Sequence, residues 1–165
     1  MQTSTAMKTI LTQICVILLC LLFVYTSASK FIDYDKFVFQ MRLAPVPLMK
    51  IAAPVLGWLV PAIEFLIAVA LAVGIFISSV KIKALYVSVI LLLAFEVYIS
   101  IMLLSGSHLP CTCGGIISKM GWKQHLFFNA FFILTGFLSI RYLQKHNAPQ
   151  GSEHGNDDFK ILSRA

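Results

Sequence analysis

Charge is what this sequence has least of. Among 165 residues, 13 are Lys or Arg and 7 are Asp or Glu, so 12% are charged while 59% are hydrophobic. An average soluble domain is about one quarter charged, and a soluble fold this poor in charge could not cover its own surface. Acidic groups are the scarcest, and inside the apolar blocks they are Glu64 and Glu96 alone. The sequence lacks a glycosidase-type carboxylate pair, a phosphate-binding glycine loop and a serine-hydrolase constellation, which removes those enzyme classes. It also lacks an internal repeat. The net charge is +6, but no basic run carries interleaved aromatics on a polar background. The basic residues flank apolar blocks instead, where they meet anionic lipid headgroups, so the expected partner is a bilayer and not a nucleic acid.

What the sequence has in abundance is long apolar runs. A helix needs about 20 mostly apolar residues to cross the hydrocarbon core, and four blocks qualify, at about 8–28, 55–79, 84–104 and 122–143. This predicts an all-α membrane protein, a bundle of four transmembrane helices occupying 1–143, with a polar tail at 144–165 that lacks the apolar residues for a core. The first block resembles a signal peptide in having Lys8 ahead of it and Thr26-Ser27-Ala28 behind. Its length and the three blocks that follow favour an uncleaved span. Between the first two spans, Phe31, Tyr34, Phe37, Val38 and Met41 follow helical spacing, which predicts a short amphipathic helix in the membrane interface, broken by Pro45 and Pro47. Lys81 and Lys83 are expected to form a hydrophilic turn between spans two and three. Basic residues divide almost evenly between the two sides of such a bundle, seven against six of the 13. The expected arrangement puts both termini in the cytoplasm and the third loop outside.

That loop, Ser105–Gly121, holds the sharpest chemical feature: Cys111-Thr112-Cys113-Gly114-Gly115, preceded by Pro110. Two thiols one residue apart can close a small strained ring, and strained or exposed disulfides are the easily reduced ones. Lys119, Lys123 and a protonated His108 would favour a thiolate. Three readings stay open on these residues: redox exchange, an inert loop disulfide, and a metal site that would need His108 or His125 to complete it. No metal is assigned. Cys15 and Cys20 lie in the first span about 500° apart around the helix, so they do not share a face and read as small hydrophobes; the alternative is that one of them, or a partner protein, relays with the loop pair.

Glu64 and Glu96 are costly in hydrocarbon and should face the bundle interior. Glu64, three residues after Pro61, is placed to pair with a first-loop base such as Lys30 or Arg42; Glu96 has Ser100 one turn on. Either can serve packing or proton transfer. His125 and Asn129 share a face of the fourth span, just after the cysteine loop. They suit interhelical hydrogen bonding, or proton transfer to a departing thiolate.

Several stretches together resemble the MauE branch of the DoxX-like membrane proteins, named for methylamine utilisation. They are Tyr25–Lys30 closing the first span, the Asp33–Gln40 amphipathic segment, Pro61 with Glu64, Pro110-Cys-Thr-Cys-Gly-Gly115, and Trp122-Lys-Gln-His125-Leu with Phe128-Asn129. The resemblance covers roughly Leu11–Tyr142, and its last two stretches look like a form common in Bacteroidetes-type bacteria. Many members carry Phe-Gly after the cysteine pair, where this chain has Gly114-Gly115. The resemblance implies a four-helix bundle in the bacterial inner membrane that supports disulfide formation or electron delivery to periplasmic redox or secreted proteins. In it, Cys111 and Cys113 would be the redox pair, His125 and Lys123 would tune the thiolate, and Glu64 and Glu96 would organise the bundle or carry protons, with a quinone as the candidate cofactor. Two rival expectations are a non-catalytic membrane scaffold with a structural loop disulfide and a small carrier using the intramembrane glutamates.

Overall fold

The computed structural model describes residues 2–44, 47–105 and 122–147. Five helices make up the described chain: α1 (Gln2–Ile32), α2 (Tyr34–Leu43), α3 (Pro47–Phe76), α4 (Ser78–Leu104) and α5 (Trp122–Asn147). Four of them, α1, α3, α4 and α5, are long and apolar enough to cross a membrane. Their outward faces are apolar as well, with Leu21, Ile51, Phe76 and Phe127 each at least 60% exposed. Water would penalise such a surface and lipid does not. The chain is a multi-pass membrane protein of all-α class.

Contacts fix the helix directions. Cys20 and Ser27 of α1 touch Ala68 and Pro61 of α3, so these two helices run antiparallel. Gln13 meets Lys81, which makes α1 and α4 parallel, and Tyr86 meets Gln144, which makes α4 and α5 antiparallel. The core runs between them, with Val16, Leu19 and Phe23 of α1 against Leu71, Leu85, Leu92 and Phe132. Without a hydrophobic force between helices in lipid, this packing, together with interhelical hydrogen bonds, holds the bundle.

The sequence places α2 well, and the structure says what it rests on. The hydrogen-bond ladder continues across Asp33, from Asp33 N–H to Ser29 and from Phe37 N–H to Asp33. The chain therefore turns into α2 with little interruption. Val38 and Met41 are buried against Ala53 of α3, with Tyr34, Phe37 and Leu56 around them. Ala44 is extended, as expected for a residue before a proline. Pro47 occupies the first position of α3, where its missing N–H costs nothing.

Within α3, Pro54 and Pro61 are two turns apart and so lie on one face. Both of their carbonyls accept a side-chain hydroxyl from outside the helix: Tyr34 Oη donates to Pro54 (3.1 Å) and Ser27 Oγ to Pro61 (2.8 Å). Gly57 lies between them on the same face. A Cβ there would sit 2.5 Å from Val38 Cγ2 and 2.8 Å from Tyr34 Cε2, so only glycine lets α2 come this close. Glu64, one turn beyond Pro61, continues the stripe towards α1.

Helix lengths differ from the sequence expectation. The second span begins at Pro47 rather than near 55, because Pro54 is absorbed into the helix. The expected Lys81–Lys83 turn is absent: the break is Ile77 alone, in extended conformation, and both lysines lie in the first turns of α4. A lysine does not interrupt the helical ladder, since its long stem carries the ammonium away from the apolar face. Lys81 Nζ donates to Gln13 Oε1 at 3.0 Å. Gly74 makes the short turn possible, because a Cβ there would be 2.8 Å from Lys81 Cα. At the other end, residues 144–147, expected in the polar tail, complete α5.

Candidate functional site

The half of the bundle where α1 ends and α5 begins also contains α2, and it encloses a cavity of about 260 Å³. Its walls are mostly apolar, from Leu22, Met41, Leu56, Leu92 and Phe128 among others, and its polar groups are Thr26, Lys30, Glu64, His125, Asn129 and the Tyr98 hydroxyl. The geometry of the helices explains how Lys30 and Glu64 meet. Side chains on a helix lean towards its N-terminus. Because α1 and α3 are antiparallel, Lys30 leans into the bundle from one end while Glu64 leans up to meet it. Lys30 Nζ stands 2.5 Å from Glu64 Oε1, with the two side chains 4% and 1% exposed. Aromatic faces close over the ammonium: its nitrogen is 5.1 Å from the Phe95 ring centre and 5.7 Å from that of Phe37. Such faces attract a cation electrostatically and take the place of water around it.

A buried pair is favourable only when its remaining lone pairs and protons find partners. Here they do not all find them. Glu64 Oε2 and His125 Nδ1 are buried without a hydrogen-bond partner. Both belong to side chains that line the cavity, and buried polar atoms left unpaired are rare enough to require a reason. His125 also lies within electrostatic reach of Lys30. The cavity thus holds the Lys30–Glu64 pair, with the Thr26 hydroxyl within hydrogen-bonding reach of the Glu64 carboxyl, and a His125 ring nitrogen with no protein partner.

The residues singled out from sequence divide into three groups. Glu64, His125 and Asn129 come together at the cavity, and of the two bases proposed for Glu64 the partner is Lys30. Glu96 stands behind them: the Asn129 amide reaches its carboxyl, its Oε2 is buried without a partner, and Ser100 Oγ bonds its backbone carbonyl instead of its side chain. Lys123 is exposed. Cys111 and Cys113, with His108 and Lys119, lie outside the described residues. The helix ends that flank their segment, Leu104 of α4 and Trp122 of α5, are at the cavity end of the bundle. Cys15 and Cys20 are free. Cys20 Sγ donates to the Ala68 carbonyl at 3.4 Å, about ten residues and so roughly 15 Å along α1 from Lys30. That contact makes Cys20 a helix-packing residue. Among the described residues, no three His, Cys, Asp or Glu side chains are grouped to hold a metal ion.

Sequence reasoning did not count Lys30 among the reactive residues, nor the aromatic cover of Phe37 and Phe95. A signal for Lys30 exists: it follows Ser27 by three residues, as Glu64 follows Pro61, and the Ser27–Pro61 contact sets the level at which the two helices meet.

The family model described as Methylamine utilisation protein MauE matches residues 8–142 of the chain. No curated protein and no solved structure shows a match.

Proposed function

The chain belongs to the MauE family of methylamine utilisation proteins, and from that premise we propose that it is a bacterial inner-membrane component of thiol–disulfide exchange, passing electrons between Cys111–Cys113 and a periplasmic protein. The observation that carries this reading is where the polar groups of the bundle lie. Lys30, Glu64, His125 and Asn129 gather in the half of the membrane domain whose end also bears the two helix termini flanking the cysteine segment. Exchange at a Cys-x-Cys pair moves two protons with two electrons, and a thiolate must be formed and discharged in each cycle. A bundle built for packing alone has no need of unpartnered polar atoms in its interior. Lys123, exposed in the first turn of α5, adds positive charge at the same end of the bundle.

The reading is tested by deleting the gene in its host and restoring it as wild type or as Cys111→Ser/Cys113→Ser. Thiol alkylation with a mass-shift reagent then compares the oxidation state of secreted proteins. Wild type restores the native disulfide pattern of at least one periplasmic protein and the double variant does not. Equal restoration by both would leave the cysteines as a loop staple and the protein as a scaffold.

A further inference from the structure

We infer that the groove between α1 and α5, in the half of the bundle away from the Lys30–Glu64 cavity, holds one acyl chain of an anionic phospholipid whose phosphate lies at Lys8. The inference goes beyond the thiol–disulfide reading and uses none of its residues.

Depth is the first constraint. The groove encloses about 630 Å³; its α1 wall runs from Lys8 to Leu18 and its α5 wall from Tyr142 back to Phe131. At 1.5 Å per residue each wall is roughly 15 Å long. That is half of a hydrocarbon core of about 30 Å. A groove that stops at mid-membrane suits an occupant that stops there too. A lipid chain does, because it fills one leaflet. A transmembrane helix from another protein would need a seam running the full depth.

The walls suit an alkyl chain. Leu11, Ile14, Leu18, Phe131 and Leu138 line the groove and are exposed, so it opens sideways to the bilayer. The two threonines in it spend their hydroxyl protons on their own helices. Thr12 Oγ1 donates to the Lys8 carbonyl at 3.0 Å, and Thr135 Oγ1 donates to the Phe131 and Phe132 carbonyls at 3.0 and 3.2 Å. A methylene chain therefore enters without stranding either hydroxyl.

Charge at the mouth selects the headgroup. Thr9 Oγ1 and Tyr142 Oη share a hydrogen bond of 2.9 Å across it. Lys8 lines the mouth and is exposed, and Lys145 follows Tyr142 by three residues on the same face of α5. Among the described residues, this end of the bundle also carries Lys81, Lys83 and Arg141 and no Asp or Glu, whereas the opposite end mixes Asp33 and Asp35 with its bases. An end rich in bases and free of acids attracts anionic headgroups. A zwitterionic headgroup brings its own cation and gains less there.

The full-length protein is placed in nanodiscs of phosphatidylglycerol and phosphatidylcholine with identical chains, and the lipids it retains on release are read by native mass spectrometry. One phosphatidylglycerol per chain is expected to stay bound in preference to phosphatidylcholine. Lys8→Gln lowers that preference about fivefold, the effect of one base near an anionic surface. Thr135→Phe fills the groove without changing charge and abolishes retention of either lipid, with thermal unfolding as the check on folding; if it does not fold, Lys8→Gln decides the matter. Lys83→Gln, at the same end but in the wall between α3 and α4, leaves retention unchanged. Equal retention of the two lipids, full retention in folded Thr135→Phe, or equal losses in Lys83→Gln and Lys8→Gln overturns the site and leaves a diffuse attraction to lipid. A second copy of the chain, or another protein, released by Thr135→Phe overturns it as well and makes the groove a protein interface.

Discussion

Removing one member of the buried pair should hurt far more than removing both. In Glu64→Gln the Lys30 ammonium stays buried, 4% exposed, facing two ring surfaces and a neutral amide. Breaking a buried pair in this way costs about 3–5 kcal/mol. For a domain of this length each kcal/mol is worth about 2–4 °C, so the variant should melt roughly 6–20 °C below the parent. Replacing both partners with apolar residues, Lys30→Met with Glu64→Met, removes the desolvation penalty along with the attraction. Such exchanges are neutral or stabilise by about 1–4 kcal/mol, so the double variant should melt at or above the parent temperature. The assay is thermal unfolding of purified protein in one detergent, with Lys30→Met completing the cycle. The reasoning is refuted if the effects of the single variants simply add, or if Glu64→Gln melts at the parent temperature.

Gly57→Ala puts a Cβ 2.5 Å from the stiff Val38 side chain and should cost about 1–3 kcal/mol, loosening α2 enough to raise its protease sensitivity. Ser27→Ala removes the 2.8 Å hydrogen bond to the Pro61 carbonyl and should lower stability by about 0.6–2 kcal/mol, read by the same thermal scan. Cys15→Ala with Cys20→Ser should leave thiol exchange intact in the alkylation assay, because Cys20 serves as a packing donor to Ala68 and serine retains that donor.

The four spans were legible because length and apolarity set a minimum that few other sequences meet. Helix α2 was legible because its inward residues repeat at helical spacing, and burial of Val38 and Met41 agrees with that spacing. The span limits were not, since hydropathy marks where charge begins while the helical ladder ends only where the backbone turns. Ile77 does this in one residue, and nothing in its chemistry announces it. At the site, Glu64 stood out because a carboxylate in hydrocarbon demands a partner, and Lys30 was one of two bases within reach. The cavity was hidden, because it depends on α2 folding back over the end of α1 and on Gly57 permitting the approach. The presence of His125 and Asn129 on one face could be read from their spacing; that this face looks onto Lys30 and Glu64 required the helix directions.

The central claim is that Cys111 and Cys113 cycle between dithiol and disulfide on the periplasmic side. The most direct measurement treats intact cells with a membrane-impermeant maleimide, before and after a reducing pulse, and reads the mass of the peptide holding both cysteines under respiring and respiration-blocked conditions. The account predicts that the pair resists the reagent while cells respire, takes up two labels after reduction, and shifts towards the dithiol when respiration is blocked. A pair that is inaccessible from outside even after reduction, or that stays fully reduced in every condition, contradicts it.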